Sequence, residues 1–326
     1  MIEVRNLVKD YYGHVAVDDL SFTVEPGEIV GFLGPNGAGK STTMNIITGY
    51  ISCTSGQAIV NGYDVFDEPE KAKKSIGYLP EQPPIYPDMK VYEYLMFVAE
   101  LKKVPKKDRA QMINDIMNLT KIADVSEKLI KYLSKGYKQR VGLAGAIVGY
   151  PEILILDEPT VGLDPNQIIE IRELIKSLSK KHTILLSSHI MQEVSAVCDK
   201  IIIINEGKLI AYDTPANIGR MIEASKELIV TVKGNMTMIQ SLVDGMEGIR
   251  HVRYEKVSDE EVGMVIKMEE NVDIRENLFA VMAKASCPIL EMHIHKLTLE
   301  EIFLILTHDR DSARKYKEKM TEEVAE

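Results

Sequence analysis

The sequence predicts an α/β chain: a mostly parallel sheet covered on both faces by helices, followed by a small α+β unit. Three observations carry that reading. Ile153-Leu154-Ile155-Leu156 is an apolar run without alternation, which suits a strand buried on both faces of a parallel sheet. Strand-like and helix-like segments then alternate from Gln167 to Asn205, the order of a doubly covered sheet. Beyond residue 226 the order changes to strand, helix, strand, strand, helix, strand, which suggests a ferredoxin-like arrangement.

Composition bounds the reading further. At 326 residues the chain is longer than one average domain, so two domains are expected. A formal net charge of −10 argues against a nucleic-acid partner held on a broad basic face. Cys53, Cys198 and Cys287 lie far apart, with no CxxC pair and no His at zinc-ligand spacing, so reduced and packed thiols in a cytosolic protein are expected. No secretory signal is expected, because Met1-Ile2-Glu3-Val4-Arg5 runs directly into strand-like alternation. The longest uncharged stretch, Ser41 to Tyr63, is rich in Ser, Thr, Gly and Asn, so no membrane span is expected either.

In chain order, residues 2–5 and 20–24 read as strands separated by a turn-like segment, Lys9 to His14, and Pro26-Gly27 closes the second. Glu28-Ile29-Val30-Gly31-Phe32-Leu33 is the next strand. A glycine-rich loop follows, then a helix from Thr42 to Ile47 with Gly49 as its stop. Short strands with a turn at Asn61-Gly62 occupy 51–66, and Ser75–Leu79 is another strand, ending at Pro80-Glu81-Gln82-Pro83-Pro84. From Val91 to Leu129 apolar residues recur at helical spacing, and a further helix runs from Ser134 to Val148. After the strand at 153–156 come a helix (Gln167–Lys180), a strand (Thr183–Ser187), a helix (Met191–Val197) and a strand (Lys200–Asn205). Later segments are strands 227–233, 249–257, 262–268 and 289–295, with helices 236–246, 273–285 and 299–307. The expected division is a first domain over 1–218 with a helical subdomain at about 83–150, a linker over 219–226, a small domain over 227–308 and a charged tail over 309–326.

Chemistry concentrates in Gly34-Pro35-Asn36-Gly37-Ala38-Gly39-Lys40-Ser41, which fits the Walker A pattern at every fixed position. Its glycines let backbone N–H groups approach phosphate oxygens in conformations that a Cβ would obstruct. The following helix adds unpaired N–H groups, at Thr42 among others, and a positive dipole end. Lys40 can then reach the β- and γ-phosphates, and the Ser41 hydroxyl can ligate Mg²⁺. Phosphoryl transfer also needs a carboxylate for the metal and a positioned water. Asp157 ends an apolar strand, the expected place for a Mg²⁺-holding carboxylate, and Glu158 beside it is the candidate base.

With Leu133-Ser134-Lys135-Gly136-Tyr137-Lys138-Gln139-Arg140 added, residues 1–215 resemble the nucleotide-binding subunit of an ATP-binding cassette (ABC) transporter. The segment matches the family signature at Leu133, Ser134 and Gly136 and departs from it at Lys135 and Tyr137. The resemblance implies an α/β P-loop NTPase with a mostly parallel sheet core, an antiparallel β subdomain and a helical subdomain, and the element order beyond residue 226 adds a C-terminal α+β ferredoxin-like domain. It implies ATP and Mg²⁺ as ligands, with Gln82 sensing metal and water, His189 contacting the γ-phosphate, and Asp164 of Gly162-Leu163-Asp164 at a dimer interface. Tyr11, placed 29 positions before Lys40, matches the aromatic that stacks on adenine, with Tyr12 beside it as the alternative. Ser134 and Gly136 would reach the γ-phosphate held by the other protomer, so ATP would join a head-to-tail pair of this chain with itself or with a similar ATPase.

Within the family, Tyr78 to Pro84, the Leu133–Tyr137 variant and the ending Leu299-Glu300-Glu301-Ile302-Phe303-Leu304 resemble the ATPases of ABC-2-type exporters. That implies integral-membrane permease partners on separate chains, with Ile85, Tyr86 and Met89 as contact candidates, and a peripheral place on the cytoplasmic face of the cell membrane. An ATP-gated regulatory subunit of a membrane complex that moves no substrate is the alternative. The C-terminal domain offers no chemistry: His293 and His295 alternate on one strand face without a Cys or carboxylate at ligand spacing.

Overall fold

The computed structural model of the chain describes residues 1–218, 227–258, 260–269 and 272–295. They form two compact units, one running from Met1 to Pro215 and one beginning at Ala216. The predicted linker at 219–226, the helix over 299–307, the Leu299–Leu304 ending and the tail over 309–326 lie outside the described residues.

The chain starts with a hairpin of β1 (Ile2–Tyr11) and β2 (His14–Val24). Both strands far exceed the expected 2–5 and 20–24. Their register breaks between Val4 and Leu7 and on either side of Lys9, with Asn6 at φ 45° and Asp19 at φ 52°. Such bulges interrupt the inward–outward alternation by which strands are read. The turn shrinks to Tyr12 (φ 53°) and Gly13 (φ 96°), two left-handed residues as a two-residue hairpin requires. β3 (Ile29–Leu33) then enters a second sheet, while β4 (Ser55–Val60) and β5 (Tyr63–Asp64) complete the first in the order β2-β1-β4-β5.

The second sheet adds β6 (Ile76–Leu79), β7 (Ile153–Leu156), β8 (Thr183–Ser188), β9 (Lys200–Asn205) and β10 (Lys208–Asp213), in the order β10-β9-β3-β8-β7-β6. Its central pairs are parallel, and β10 turns back antiparallel on β9. β10 was not expected, because its Leu209-Ile210-Ala211-Tyr212 run does not alternate and, as an edge strand, it buries no residue. β3, β7 and β8 are buried along their whole length.

The helices are α1 (Lys40–Ile47), α2 (Pro69–Lys74), α3 (Val91–Leu101), α4 (Lys106–Leu119), α5 (Lys135–Ile147), α6 (Pro165–Leu178) and α7 (Met191–Val197). α2 buries Ala72 alone, so it lacked the periodicity that marks a helix. α6 begins two residues before the expected Gln167, because Asp164 caps it: Oδ1 accepts the Gln167 N–H at 3.0 Å, and Pro165 fills the first helical position. Ile2, Leu7 and Leu20 of the first sheet share one core with Met44 and Ile47 of α1 and with Phe32, Ile155, Leu185 and Ile202 of the second. Burying each such side chain is worth about 1.5–3 kcal/mol, which anchors α1 and the loop before it.

The unit beginning at Ala216 contains β11 (Glu227–Lys233), α8 (Met236–Val243), β12 (Ile249–Lys256), β13 (Glu261–Met268), α9 (Arg275–Lys284) and β14 (Ile289–His295). Its sheet is antiparallel in the order β12-β13-β11-β14, the ferredoxin-like arrangement. Alternate residues Leu228, Val230, Val232, Met264 and Ile266 pack with Ile239, Leu278 and Met282 into a core of its own.

Candidate functional site

Parallel pairing brings three strand ends to one edge. Leu33 is in register with Ser188, and Leu156 with Leu186, so the chain leaves β3, β7 and β8 side by side, toward Gly34, Asp157 and His189. Ligands of open α/β sheets bind outside such carboxyl ends.

After β3 the loop closes on Gly39, whose φ of 101° is left-handed and whose Cβ would lie 2.4 Å from Ala16 O. Only glycine fits there. Gly39 is also the residue before α1, and its carbonyl takes the Thr43 N–H at 2.9 Å. The N–H groups of Lys40, Ser41 and Thr42 precede that bond and have no intrahelical acceptor. The Lys40 ammonium is buried and donates to Gly34 O at 2.6 Å and Pro35 O at 3.1 Å. Burial lowers its pKa, and Glu158, Asp157 and Glu81 oppose that shift.

Asp157 and Glu158 are both buried and share one hydroxyl. Ser187 Oγ donates to Asp157 Oδ1 and accepts the Glu158 N–H at 2.9 Å. Glu158 has φ 48°, a conformation that costs a non-glycine residue about 1 kcal/mol or more and breaks the alternation of the strand. Its carboxylate lies 4.0 Å from Lys40 Nζ and 3.0 Å from His189 Nδ1. Burial raises the Glu158 pKa above the ordinary carboxylate range, His189 and Lys40 pull it back, and Asp157 adds to the rise.

A cavity of about 410 Å³ lies over these groups. Its lining includes Tyr11, residues of the glycine-rich loop from Pro35 to Thr42, Glu158 and His189. Gly34 and Ala38 belong to the loop without lining the cavity, and Asp157 is buried behind it. Tyr12 is fully exposed and outside the lining. Glu81 lines the cavity where the sequence had pointed to Gln82, which is exposed and outside it. Ser134, Gly136 and Asp164 also lie outside. Ser134 caps α5, accepting the Tyr137 N–H at 3.4 Å, and a Cβ on Gly136 would meet the Gln167 side chain at 2.5 Å. The Lys135 amine lies over Gly162, so the start of α5 and the loop before α6 meet each other.

Residues that the sequence reading passed over are His14, Ala16 and Val161 in the lining and Ser187 beneath it. Ser187 ends the expected strand Thr183–Ser187, two residues before His189, but its pairing with Asp157 depends on β7 lying beside β8. His14 and Ala16 reach the site through the β1–β2 hairpin, which local pattern did not reveal. Chemically, the cavity offers N–H donors, an ammonium and a hydroxyl to an anion, facing a carboxylate of raised basicity and an imidazole.

The profile of a family described as ABC transporter matches residues 17–161. The linearmycin resistance ATP-binding protein of Bacillus subtilis (strain 168) is 31% identical over 308 residues, covering 94% of this chain and 98% of that protein. The bacitracin transport ATP-binding protein of Bacillus licheniformis is 41% identical over 212 residues, 64% of this chain and 68% of that one. Among solved structures, one described as the ATP binding subunit of an ABC transporter superposes with a TM-score of 0.63 at 31% identity, over 68% of this chain and 93% of that one.

Proposed function

The chain belongs to the ABC transporter family as an ATP-binding, ATP-hydrolysing subunit, and from that premise we propose how its residues bind ATP and which partners it serves. The observation that carries the reading is the convergence of Lys40, Glu158 and His189 on the cavity bounded by the glycine-rich loop. Tyr11 stacks on the base. Pro35 to Thr42 and the Lys40 ammonium hold the phosphates, with Gly34 and Ala38 shaping the loop. Glu158 orients the attacking water and takes its proton, and His189 holds Glu158 and meets the γ-phosphate.

Mg²⁺ fits the donors present. Ser41 at the cavity and Asp157 behind it are oxygen donors, and Mg²⁺ bound with nucleotide needs only one or two protein ligands beside phosphate and water. Among the described residues no group of three His, Cys, Asp or Glu could hold a metal alone, which agrees with a site completed by the nucleotide. Gln82, exposed and outside the lining, would be a further oxygen donor to the ion. The ion's chemistry is to neutralise charge on the phosphates.

Ser134, Gly136 and Asp164 act from a second copy of this chain or from a similar ATPase, since within one copy they lie away from the cavity lining. ABC-2-type permease chains supply the membrane path, at the cytoplasmic face of the cell membrane. No helix among the described residues is long and apolar enough to cross a membrane, and the relatives named for linearmycin resistance and bacitracin transport support export. Glu158→Gln tests the assignment of the base. Turnover should fall by about 10²-fold or more while nucleotide binding and an ATP-dependent dimer persist on size-exclusion chromatography. Hydrolysis at the parental rate would remove Glu158 from that role.

A further inference from the structure

Glu193 stands behind the cavity and ties the loop that carries Glu158 to the end of β8, next to His189. We propose that it is a positioning residue for hydrolysis, setting the separation of that pair without touching the nucleotide. The proposal rests on the ATPase reading above. Glu193 lies on α7, is 6% exposed and does not line the cavity.

Its Oε2 accepts from two hydroxyls, Thr160 Oγ1 and, at 3.4 Å, Ser188 Oγ. Thr160 follows Glu158 by two residues, within the turn closed by the Val161 N–H to Glu158 O at 3.2 Å. Ser188 immediately precedes His189, and its Oγ also accepts the Ile190 N–H at 3.0 Å, so the histidine is bracketed. Arg172 of α6 approaches the other carboxylate oxygen, Nη2 lying 4.0 Å from Oε1. One oxygen atom thus grips the loop after β7 and the last residue of β8, immediately before His189.

Glu158 occupies a left-handed conformation at φ 48°, which costs a non-glycine residue about 1 kcal/mol or more, and the bonds around it offset that cost. The Ser187 hydroxyl holds the Glu158 N–H from below, and Glu193 holds the turn beyond it through Thr160. Release of either arm lets Glu158 and His189 drift apart, and misplacement by about 1 Å can cost 10²-fold in rate.

The test measures ATP turnover by the full chain with Mg²⁺ over a range of ATP concentrations. Thr160→Val keeps shape and removes one hydroxyl arm, Glu193→Ala removes the acceptor, and Glu193→Gln keeps a carbonyl acceptor. Thr160→Val and Glu193→Ala should lower kcat by about 10–100-fold with KM changed less than about threefold, and Glu193→Gln should retain most of kcat. The Thr160→Val/Glu193→Ala double variant should be no slower than Glu193→Ala alone, since removing the Glu193 carboxylate already breaks the link that Thr160 makes. Parental kcat in Thr160→Val, or in a Glu193→Ala variant of unchanged thermal midpoint, overturns the proposal, as does strict additivity in the double variant. If Glu193→Ala fails to fold, Thr160→Val decides. An unmodified chain that hydrolyses no ATP overturns the ATPase reading itself and this proposal with it, whereas an active chain with unaffected variants overturns the positioning role alone.

Discussion

His189 Nδ1 lies 3.0 Å from Oε2 and 3.1 Å from Oε1 of Glu158, so one ring nitrogen serves both oxygens of the carboxylate. The two residues come from loops after different strands, β8 and β7, and meet because those strands are parallel neighbours. Burial makes Glu158 a stronger base than an exposed glutamate, and His189 limits that rise while fixing where the oxygens lie.

His189→Ala removes the fixing contact and leaves the phosphate loop untouched. Turnover should fall by about 10²-fold, with nucleotide affinity changed only a few-fold. A fluorescent-nucleotide titration beside a phosphate-release assay separates the two. A loss of binding equal to the loss of rate would make His189 a binding group only.

Tyr11 lines the cavity and Tyr12, its neighbour in the hairpin turn, is fully exposed away from it. Tyr11→Ala should weaken ATP binding by about 1–3 kcal/mol, the usual worth of a base–aromatic stack, and Tyr12→Ala should leave affinity unchanged. Equal effects at both positions, measured by isothermal titration, would contradict this assignment of the stacking ring.

His182 is buried, with Nδ1 2.6 Å from Pro151 O, and burial lowers its pKa below the ordinary 6.5. The sign follows from linkage: below about pH 6.5 the unfolded chain takes up a proton that folded His182 resists, so stability is lost as pH falls through that window. His182→Asn can keep the donated hydrogen bond without titrating. Its urea midpoint should drop less than the parent's between pH 7.5 and pH 5.5, and an identical drop would rule out His182 as the source.

Gly77 of β6 faces α5: a Cβ there would stand 2.3 Å from the backbone carbonyl of Ala146. A backbone atom cannot move aside as a side chain can, so Gly77→Ala should destabilise the first unit by about 1–3 kcal/mol. Chemical denaturation would show it. Stability equal to the parent's would mean that α5 can shift at little cost.

Much of this was legible in the chain itself. The apolar run at 153–156, the glycine-rich loop and the later alternation of strands and helices all carry local signals, since burial on two faces and left-handed glycines leave marks in composition. The extent of β1 and β2 was hidden by bulges at Asn6 and Asp19. α2 and β10 were hidden because they bury one residue and none. In the site, Lys40, Ser41, Asp157, Glu158 and His189 could be named from position, whereas Ser187, Glu193 and Thr160 could not, since their hydrogen bonds join β8 and α7 to the loop after β7, about 30 residues away in the chain.

By itself, then, the sequence determined that a phosphate-binding loop precedes a helix, and that an acidic pair and a histidine each follow a buried strand. These are properties of neighbouring residues, set by φ/ψ preference and by apolar patterning. Only the tertiary structure decided that Glu158 meets His189, that Tyr11 and not Tyr12 reaches the cavity, and that Ser134 and Gly136 stay outside it. Strand order and register set those distances, because backbone hydrogen bonding between β3, β8 and β7 places loops far apart in sequence at one edge of the sheet.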